Sequence, residues 1–151
     1  MPRRNFRVGR SATGLGLFAV KPIARSDDIV AYSGRWIATE EAQRRERTRG
    51  VKYMFEVDRH WTIDGSSRRN LGRYVNHSCE PNAEAVLRAR KMMLIALRAI
   101  APGEEITIDY GEEYFDLFLK AGGCRCAACA ANGRGKKRIG RPKRQRAIDT
   151  R

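Results

Sequence analysis

Four short segments of this sequence carry side chains whose types and spacing could do chemistry: Thr13–Gly16, Arg73–Asn82, Gly103–Gly111 and Cys124–Cys129. A Gly-x-Gly on its own is more often a plain turn, and an Asp-Tyr pair on its own is usually structural. The run Asn-His-Ser-Cys-Glu-Pro-Asn is far more specific, because few folds need so many polar residues in succession. The chemistry of this chain is therefore expected around residues 76–82.

The cysteines are few and crowded. The chain has four, Cys79, Cys124, Cys126 and Cys129, and the last three fall within one short segment. The N-terminus has basic residues with no apolar stretch behind them, which makes a poor secretory signal and favours an intracellular location. In that setting, clustered cysteines favour metal ligation over disulfides.

His77 and Cys79 also allow a second interpretation, in which the thiol is a nucleophile. Catalytic Cys and His usually come from distant chain segments, and no acyl-transfer motif accompanies them here. The other histidine, His60, is expected to face solvent in a turn.

The elements that must position these residues are mostly strands. Apolar and β-branched runs bounded by turn residues predict strands at 15–20, 29–32, 53–57, 61–63, 83–88, 92–98 and 106–108. Gly9, Gly14 and Gly16 are expected to break the early segment. One helix is predicted to begin at Thr39, and a second helix is predicted over residues 112–121. We therefore expect a strand-rich, loop-rich domain with little helix.

Length and charge limit the classes of protein to which this chain can belong. The chain has 151 residues, which suits one compact domain with a tail, and it lacks an apolar run long enough for a membrane span. The net charge is +14, and nine of the 31 basic residues lie in residues 130–151. Such a chain should favour polyanions, or partners that are bound to polyanions.

Taken in order, the motifs resemble the SET domain of protein-lysine methyltransferases, of the small type with a post-SET segment. The matching positions are Gly14 and Gly16, Tyr32 and Gly34, Asn76–Asn82, Gly103–Tyr110 and Cys124–Cys129, and the likeness covers residues 8–130. The resemblance implies a mostly β fold of small curved sheets with a C-terminal pseudoknot and a zinc-bound post-SET segment. It places Asn76 and His77 beside Asp109 and Tyr110, a topology that spacing alone does not provide.

The same resemblance implies a domain division and an activity. Residues 1–121 would form the SET domain, 122–133 the post-SET zinc segment and 134–151 a disordered basic tail. The activity would be S-adenosylmethionine-dependent N-methylation of a lysine in a basic, DNA-associated protein of the histone or nucleoid type. The alternative is a non-catalytic SET-like module that docks on nucleic acid or chromatin-type proteins.

Methyl transfer from a sulfonium to an amine is an in-line displacement, so alignment and desolvation supply most of the catalysis. The attacking lysine must be neutral, although its free pKa is about 10.4. An apolar channel and the nearby sulfonium both lower that pKa. Aromatic walls suit the channel because they hold the alkyl stem and tolerate a cationic product. Tyr53, Tyr110 and Phe55 are the candidate aromatic residues.

By resemblance, Tyr110 and Tyr53 are the catalytic residues, with the Tyr110 hydroxyl orienting the amine and not acting as a strong base. The residues expected to bind the cofactor are Gly14, Leu15, Gly16, Tyr32, Arg73, Asn76, His77 and Tyr110. For Tyr32, plain core packing is an equally good interpretation. Ile108 stands where the family usually has Phe or Tyr, so the number of methyl groups added cannot be read from the sequence. Arg35 likewise replaces a usual acidic residue.

In the family, the cysteine of Asn-His-Ser-Cys joins three post-SET cysteines around a structural zinc. Here that set is Cys79, Cys124, Cys126 and Cys129, a closed four-thiolate site that would fix a C-terminal lid. The spacing departs from the family, because two residues, not four, precede the third post-SET cysteine.

The tail contains Gly140-Arg-Pro142 among basic residues, which resembles the core of an AT-hook, although Ile139 replaces the usual Arg. A solvated basic tail or a nuclear-localisation run are the alternatives. The expected partners are a protein substrate with a target lysine and DNA through the tail, without membrane association. The expected location is nuclear in a eukaryote and cytoplasmic or nucleoid-associated in a bacterium.

Overall fold

The computed structural model describes residues 4–49 and 52–111 and the backbone of residues 148–149. The helix α1 spans Thr39–Arg49, and a short 3-10 helix spans Leu71–Tyr74. The strands are β1 Phe6–Ser11, β2 Gly14–Ala19, β3 Asp28–Tyr32, β4 Arg35–Ala38, β5 Met54–Glu56, β6 Trp61–Asp64, β7 Asn76–His77, β8 Ala83–Arg88, β9 Lys91–Ala96, β10 Glu105–Ile108 and β11 Ile148–Asp149. The expected mostly β fold is confirmed.

These residues form two compact units, each built from separate stretches of chain. The first contains the described residues 4–27, 74–84 and 96–111, and the second contains 28–49, 52–73, 85–95 and 148–149.

In the first unit, a four-stranded sheet has the order β1-β2-β10-β7. β1 and β2 form an antiparallel hairpin, and β10 runs antiparallel to β2 with Ile106 opposite Leu17. Burial along β10 alternates, as a half-buried strand requires, so Ile106 and Ile108 point into the core while Glu105 and Thr107 do not. The side chains of Leu17 and Ile106 are fully buried and fix the position of β10 beside β2.

The second unit holds the three-stranded sheet β4-β6-β5 and most of the sheet β11-β8-β9-β3. α1 packs on β4 and β6, and the hydroxyls of Thr39 and Thr62 lie 2.9 Å apart beneath it. The Glu41 carboxylate accepts hydrogen bonds from Arg44 and Arg45, which hold its pKa below the usual value. This helix carries acids in its first turn and bases in its last, a distribution that favours the helix dipole.

Most elements predicted from the sequence are confirmed, including the helix that begins at Thr39 and the strands at 83–88 and 106–108. Gly9 was expected to break the early segment, but it lies within β1 and pairs with Gly16 across the hairpin. Gly14 begins β2 directly after the turn at residues 12–13, and Gly16 lies in the strand predicted at 15–20. Backbone hydrogen bonds to a partner strand override the weak strand propensity of glycine. The predicted helix at 112–121 lies outside the described residues.

The last described residues also have a place in a sheet. Ile148 and Asp149 form β11, which pairs in parallel with Val86 and Leu87 of β8. At these two positions the structure differs from the disordered tail expected over 134–151, most of which lies outside the described residues. Within residues 4–49 and 52–111, no helix has the length and apolar composition needed to cross a membrane.

Candidate active site

The parallel pairing of β7 with β10 brings two of the sequence motifs together. Asn76 lies opposite Thr107 and His77 opposite Ile108, and Ser78 continues the ladder by donating its N–H to the Ile108 carbonyl at 2.9 Å. Asp109 and Tyr110 follow directly after β10. The expected juxtaposition of the Asn-His run with the Asp-Tyr pair is therefore present in the first unit.

His77 connects Tyr110 to Cys79. The backbone N–H of Tyr110 donates to His77 Nδ1 at 3.0 Å, and the two rings are tilted with centroids 5.5 Å apart. Because Nδ1 accepts, a neutral imidazole must carry its proton on Nε2, which lies 3.4 Å from Cys79 Sγ. His77 then donates to the sulfur and cannot remove its proton. Such a hydrogen bond stabilises a thiolate, which is the form of cysteine that ligates a metal.

The hydroxyl of Tyr110 is oriented by the backbone. It donates a hydrogen bond to the carbonyl oxygen of Val75, the residue before β7. With its proton engaged there, the hydroxyl oxygen can act toward an amine only as an acceptor. Such a hydroxyl can accept from an amine and orient it, and it has no basic character of its own at neutral pH.

Asn76 and the Gly-x-Gly segment are also in contact. The Asn76 amide nitrogen lies 2.9 Å from the Leu15 carbonyl oxygen and 2.8 Å from Glu105 Oε1. Gly14 and Leu15 are exposed, Leu15 at 51%, whereas Gly16 is buried. A Cβ on Gly16 would lie 3.0 Å from that amide nitrogen. Glycine at position 16 therefore leaves room for the packing of Asn76.

Sequence reasoning missed two residues of this network. Glu105 holds Asn76, and Asn82 clamps β10 by donating to the Glu105 carbonyl at 2.8 Å and accepting from the Thr107 N–H at 2.9 Å. Asn82 is almost fully buried. Glu105 and Asn82 both lie inside motifs named in the sequence analysis. Membership of those motifs could have drawn attention to them, but no further pattern in the sequence indicated their contacts.

In the second unit, Tyr53 is held in an uncommon backbone conformation just before β5, with φ of 71°. Its carbonyl accepts from the Tyr32 hydroxyl at 2.6 Å and from the Gly65 N–H at 2.9 Å. A non-glycine residue in this region costs about 1–3 kcal/mol and persists only where its surroundings hold it, often at functional sites. β5 spans Met54–Glu56, so the predicted strand at 53–57 was one residue too long at each end.

Two neighbours define the environment of Tyr53 and Tyr32. The Arg73 guanidinium carbon lies 4.0 Å from the centroid of the Tyr53 ring, and Arg73 Nη1 donates to the Ser66 carbonyl at 2.7 Å. Tyr32 is 6% exposed, and its ring packs against Phe55 with centroids 5.1 Å apart. The burial of Tyr32 fits the core-packing interpretation, and contact of Tyr32 with a cofactor stays a prediction.

The loop beneath Tyr53 depends on a buried amide that the sequence did not reveal. Asn70 is 1% exposed, accepts from the Ser33 N–H at 2.9 Å and donates to the Gly65 carbonyl at 3.0 Å. It therefore ties the chain between β3 and β4 to the loop that carries Gly65, whose N–H holds the Tyr53 carbonyl.

The remaining site predictions have different outcomes. Of the four expected zinc ligands only Cys79 is described, and Cys124, Cys126 and Cys129 lie outside the described residues. Among residues 4–49 and 52–111, no three His, Cys, Asp or Glu side chains are grouped so as to hold a metal ion. His60 is exposed in the turn between β5 and β6, as expected.

Comparison with known proteins agrees with this arrangement. The SET domain family matches residues 14–111. The chain is 35% identical over 123 residues to "Histone-lysine N-methyltransferase trithorax" of Drosophila virilis, a match that covers 76% of this chain and 3% of that protein. It is 37% identical over 136 residues to "Histone-lysine N-methyltransferase 2D" of Homo sapiens, covering 83% of this chain and 2% of that protein.

A solved structure shares the fold. The chain aligns with a TM-score of 0.67 and 28% identity to a chain of "Structure of ctPRC2 in complex with H3K27me3 and H3K27M", over 78% of this chain and 16% of that one. The chain thus spans only a small part of the relatives it matches. The family match spans the Gly-x-Gly segment, the Asn-His run and the Asp-Tyr pair that the fold assembles. We conclude that this chain belongs to the SET-domain family.

Proposed function

We propose that this chain is a protein-lysine N-methyltransferase that uses S-adenosylmethionine. The observation that carries the proposal is the position of Tyr110, whose hydroxyl is oriented by Val75 and whose backbone is held by His77. Membership of a family whose matched relatives are named histone-lysine N-methyltransferases supports the same reaction.

The residues of the first unit fit the cofactor. Gly14 is exposed and has open space where a side chain would be, and the Asn76 amide beside this segment has a fixed orientation. S-adenosylmethionine would supply an electrophilic methyl group on a sulfonium. Asn76, His77 and the Gly-x-Gly segment would bind and orient it, and Tyr110 would orient the incoming amine through its oxygen lone pairs.

Tyr53 supplies the aromatic surface for the target lysine in this proposal. Tyr53 is 37% exposed, and the Arg73 guanidinium lies over its ring. A fixed cation close to the lysine site disfavours the ammonium form of the substrate and so lowers its pKa. Since only the neutral amine can attack a methyl group, this charge assists the reaction.

The proposed substrate is a basic, DNA-associated protein of the histone or nucleoid type. The basic residues at 134–146 would bring the enzyme to DNA, which carries such substrates. In a eukaryote the corresponding location is the nucleus. We also propose that Cys79, Cys124, Cys126 and Cys129 hold a structural zinc, since the N–H that His77 directs at Cys79 Sγ suits a metal-bound thiolate.

The test is transfer of a labelled methyl group. Purified protein is incubated with methyl-labelled S-adenosylmethionine and, separately, core histones and bacterial nucleoid proteins, beside the Tyr110→Phe variant. We expect label on lysine with the wild type and a loss on the order of 100-fold in the variant, because removing the hydroxyl removes the group that orients the amine. Unfolding temperatures measured for both proteins exclude loss of the fold as the cause.

Two other results would contradict the proposal. Equal transfer by Tyr110→Phe and wild type would mean that Tyr110 has no catalytic part. Failure of the wild type to bind S-adenosylmethionine in calorimetry, with zinc present, would instead favour a non-catalytic SET-like module that docks on nucleic acid.

A further inference from the structure

Three oxygen atoms surround the two N–H groups of the Asn76 amide and fix its orientation. Its Nδ2 lies 2.8 Å from Glu105 Oε1, 2.9 Å from the Leu15 carbonyl oxygen and 3.1 Å from Ser11 Oγ. A carbonyl and a carboxylate can only accept, so the reversed amide would set Oδ1 against two oxygens. Oδ1 therefore points away from this cluster and is presented as a hydrogen-bond acceptor.

Glu105 has a fixed backbone from which to reach Asn76. It lies in β10 opposite Phe18, and its carbonyl accepts from Asn82 Nδ2 at 2.8 Å. The next residue, Ile106, is fully buried beside Leu17. Because β10 cannot shift at this point, the Glu105 side chain starts from a defined position on the face opposite Ile106.

Gly16 provides the space that this contact occupies. A Cβ at position 16 would overlap Glu105 Oε1 and approach Asn76 Nδ2 to 3.0 Å. One packed group thus consists of Gly16, the Glu105 carboxylate on β10 and the Asn76 amide on β7. A hydrogen bond to a carboxylate is about twice as strong as a neutral one, which makes Glu105 the strongest of the three acceptors.

We propose that Glu105 is a positioning residue for the cofactor, holding Asn76 with Nδ2 inward and Oδ1 outward toward a hydrogen-bond donor of S-adenosylmethionine. This inference rests on the proposed function. Glu105 itself need not touch the cofactor, and its effect passes through Asn76. Loss of Glu105 should then weaken cofactor binding without slowing the chemical step once the cofactor is bound.

The experiment compares Glu105→Ala with Glu105→Gln, in calorimetric titrations with S-adenosylmethionine and in steady-state kinetics. We expect Glu105→Ala to raise the Kd and KM for S-adenosylmethionine about tenfold, equivalent to one directed hydrogen bond, with kcat within about twofold. Glu105→Gln keeps an oxygen that can accept from Asn76, so its Kd should stay within about threefold of the wild type.

The matched control is Glu104→Ala. Glu104 is the neighbouring carboxylate, but it pairs with Arg98 at 2.9 Å on the surface, whereas Glu105 holds the Asn76 amide. The Glu104→Ala variant loses the same charge and should leave the Kd unchanged. If both Glu104→Ala and Glu105→Ala raised the Kd equally, long-range attraction of a cationic ligand would explain the effect, and the positioning role would be wrong.

A double-mutant cycle tests the packed group itself. Gly16→Ala should raise the Kd in the wild-type background, because the added methyl displaces the Glu105 carboxylate from Asn76. In the Glu105→Ala background that carboxylate is absent, so the same change should cost less. Simple additivity of the two changes would show that they do not act through one contact and would overturn the inference.

The remaining outcomes separate this inference from the proposed function. If the wild type and Glu105→Ala bind S-adenosylmethionine equally well, the role of Glu105 is overturned and the proposed function is not. Equal losses in Glu105→Gln and Glu105→Ala, with lowered unfolding temperatures in both, would indicate a purely structural carboxylate and also overturn it. A wild type that binds no cofactor would contradict the proposed function and this role together.

Discussion

The two tyrosines assigned to the reaction are held in different ways. Tyr110 is fixed through polar atoms, with its N–H on His77 and its hydroxyl on Val75. Tyr53 is fixed through its carbonyl, which accepts from Tyr32, while its ring stays partly exposed beside Arg73. At the residue scale, the first is suited to orient an amine and the second to offer an aromatic surface.

The stack of Arg73 on Tyr53 leads to a prediction about pH. Arg73→Gln removes the cation, so the pKa of a lysine bound beside Tyr53 should rise. With an effective dielectric between that of a protein surface and that of water, the alkaline rise in kcat, which reports ionisations in the enzyme–substrate complex, should move up by about one pH unit. At neutral pH the variant is then slower, because a smaller fraction of the substrate amine is neutral. The measurement is a pH–rate profile with a lysine-containing histone peptide.

Arg73→Lys is the control for this prediction. It keeps the positive charge but loses the planar group that lies over the ring, so KM for the peptide should rise while the pH profile stays near that of the wild type. If Arg73→Gln and Arg73→Lys shift the profile equally, the charge of Arg73 has no part in lowering the lysine pKa.

At the scale of elements, the packing of the chain between β3 and β4 gives a structural reason for the glycine of the Tyr-x-Gly motif, Tyr32–Gly34. Gly34 lies against the backbone of Asp64, with which Arg35 pairs in the β4-β6 ladder. A Cβ at position 34 would lie 2.7 Å from the Asp64 carbonyl carbon and overlap its oxygen. The glycine is therefore required by the close approach of two strands.

We expect Gly34→Ala to lower the free energy of unfolding by about 2–4 kcal/mol, because backbone atoms of a paired strand cannot move aside as a side chain can. Urea denaturation followed by circular dichroism measures the loss. Ser33→Ala, one residue earlier and exposed, should change the value by less than about 0.5 kcal/mol. A Gly34→Ala protein as stable as the wild type would mean that the β4-β6 pairing shifts readily.

At the scale of the whole molecule, the cysteines are expected to unite separate parts of the chain. Purified protein should contain one zinc ion per chain, and Cys79→Ser should lose most of it, because a hydroxyl is a much poorer zinc ligand than a thiolate. Chelation should abolish methyl transfer, and added zinc should restore it. Metal analysis of Ser78→Ala provides the control, since its zinc content should match the wild type. A zinc-free wild type with full activity would contradict the site.

The basic tail gives a separate prediction. Replacing Lys136, Lys137, Arg138 and Arg141 with Ala should weaken DNA binding at low salt while leaving transfer to a short peptide unchanged. The slope of log affinity against log salt should become less steep by roughly 0.9 for each phosphate that the altered tail no longer neutralises. Fluorescence anisotropy with A·T-rich and G·C-rich duplexes measures both the affinity and the slope. An unchanged slope would mean that these residues do not contact phosphates.

The sequence by itself determined the kinds of chemistry available. Ordered motifs indicated the family, apolar and β-branched residues after a turn located β10, and a helical pattern that begins at Thr39 located α1. These features could be read because each depends on residues close together in the chain. Gly16 and Asn76 were selected for the same reason, as members of short recognisable motifs.

Only the tertiary structure decided how those residues meet. Local periodicity does not connect Glu105 with Asn76, or Arg73 with Tyr53, although each pair is in contact. It also does not predict that Asn70 is buried. The uncommon φ of Tyr53 likewise depends on hydrogen bonds from Tyr32 and Gly65. Patterns along a chain report which face of a strand is buried, whereas strand order and register are set by long-range pairing and packing.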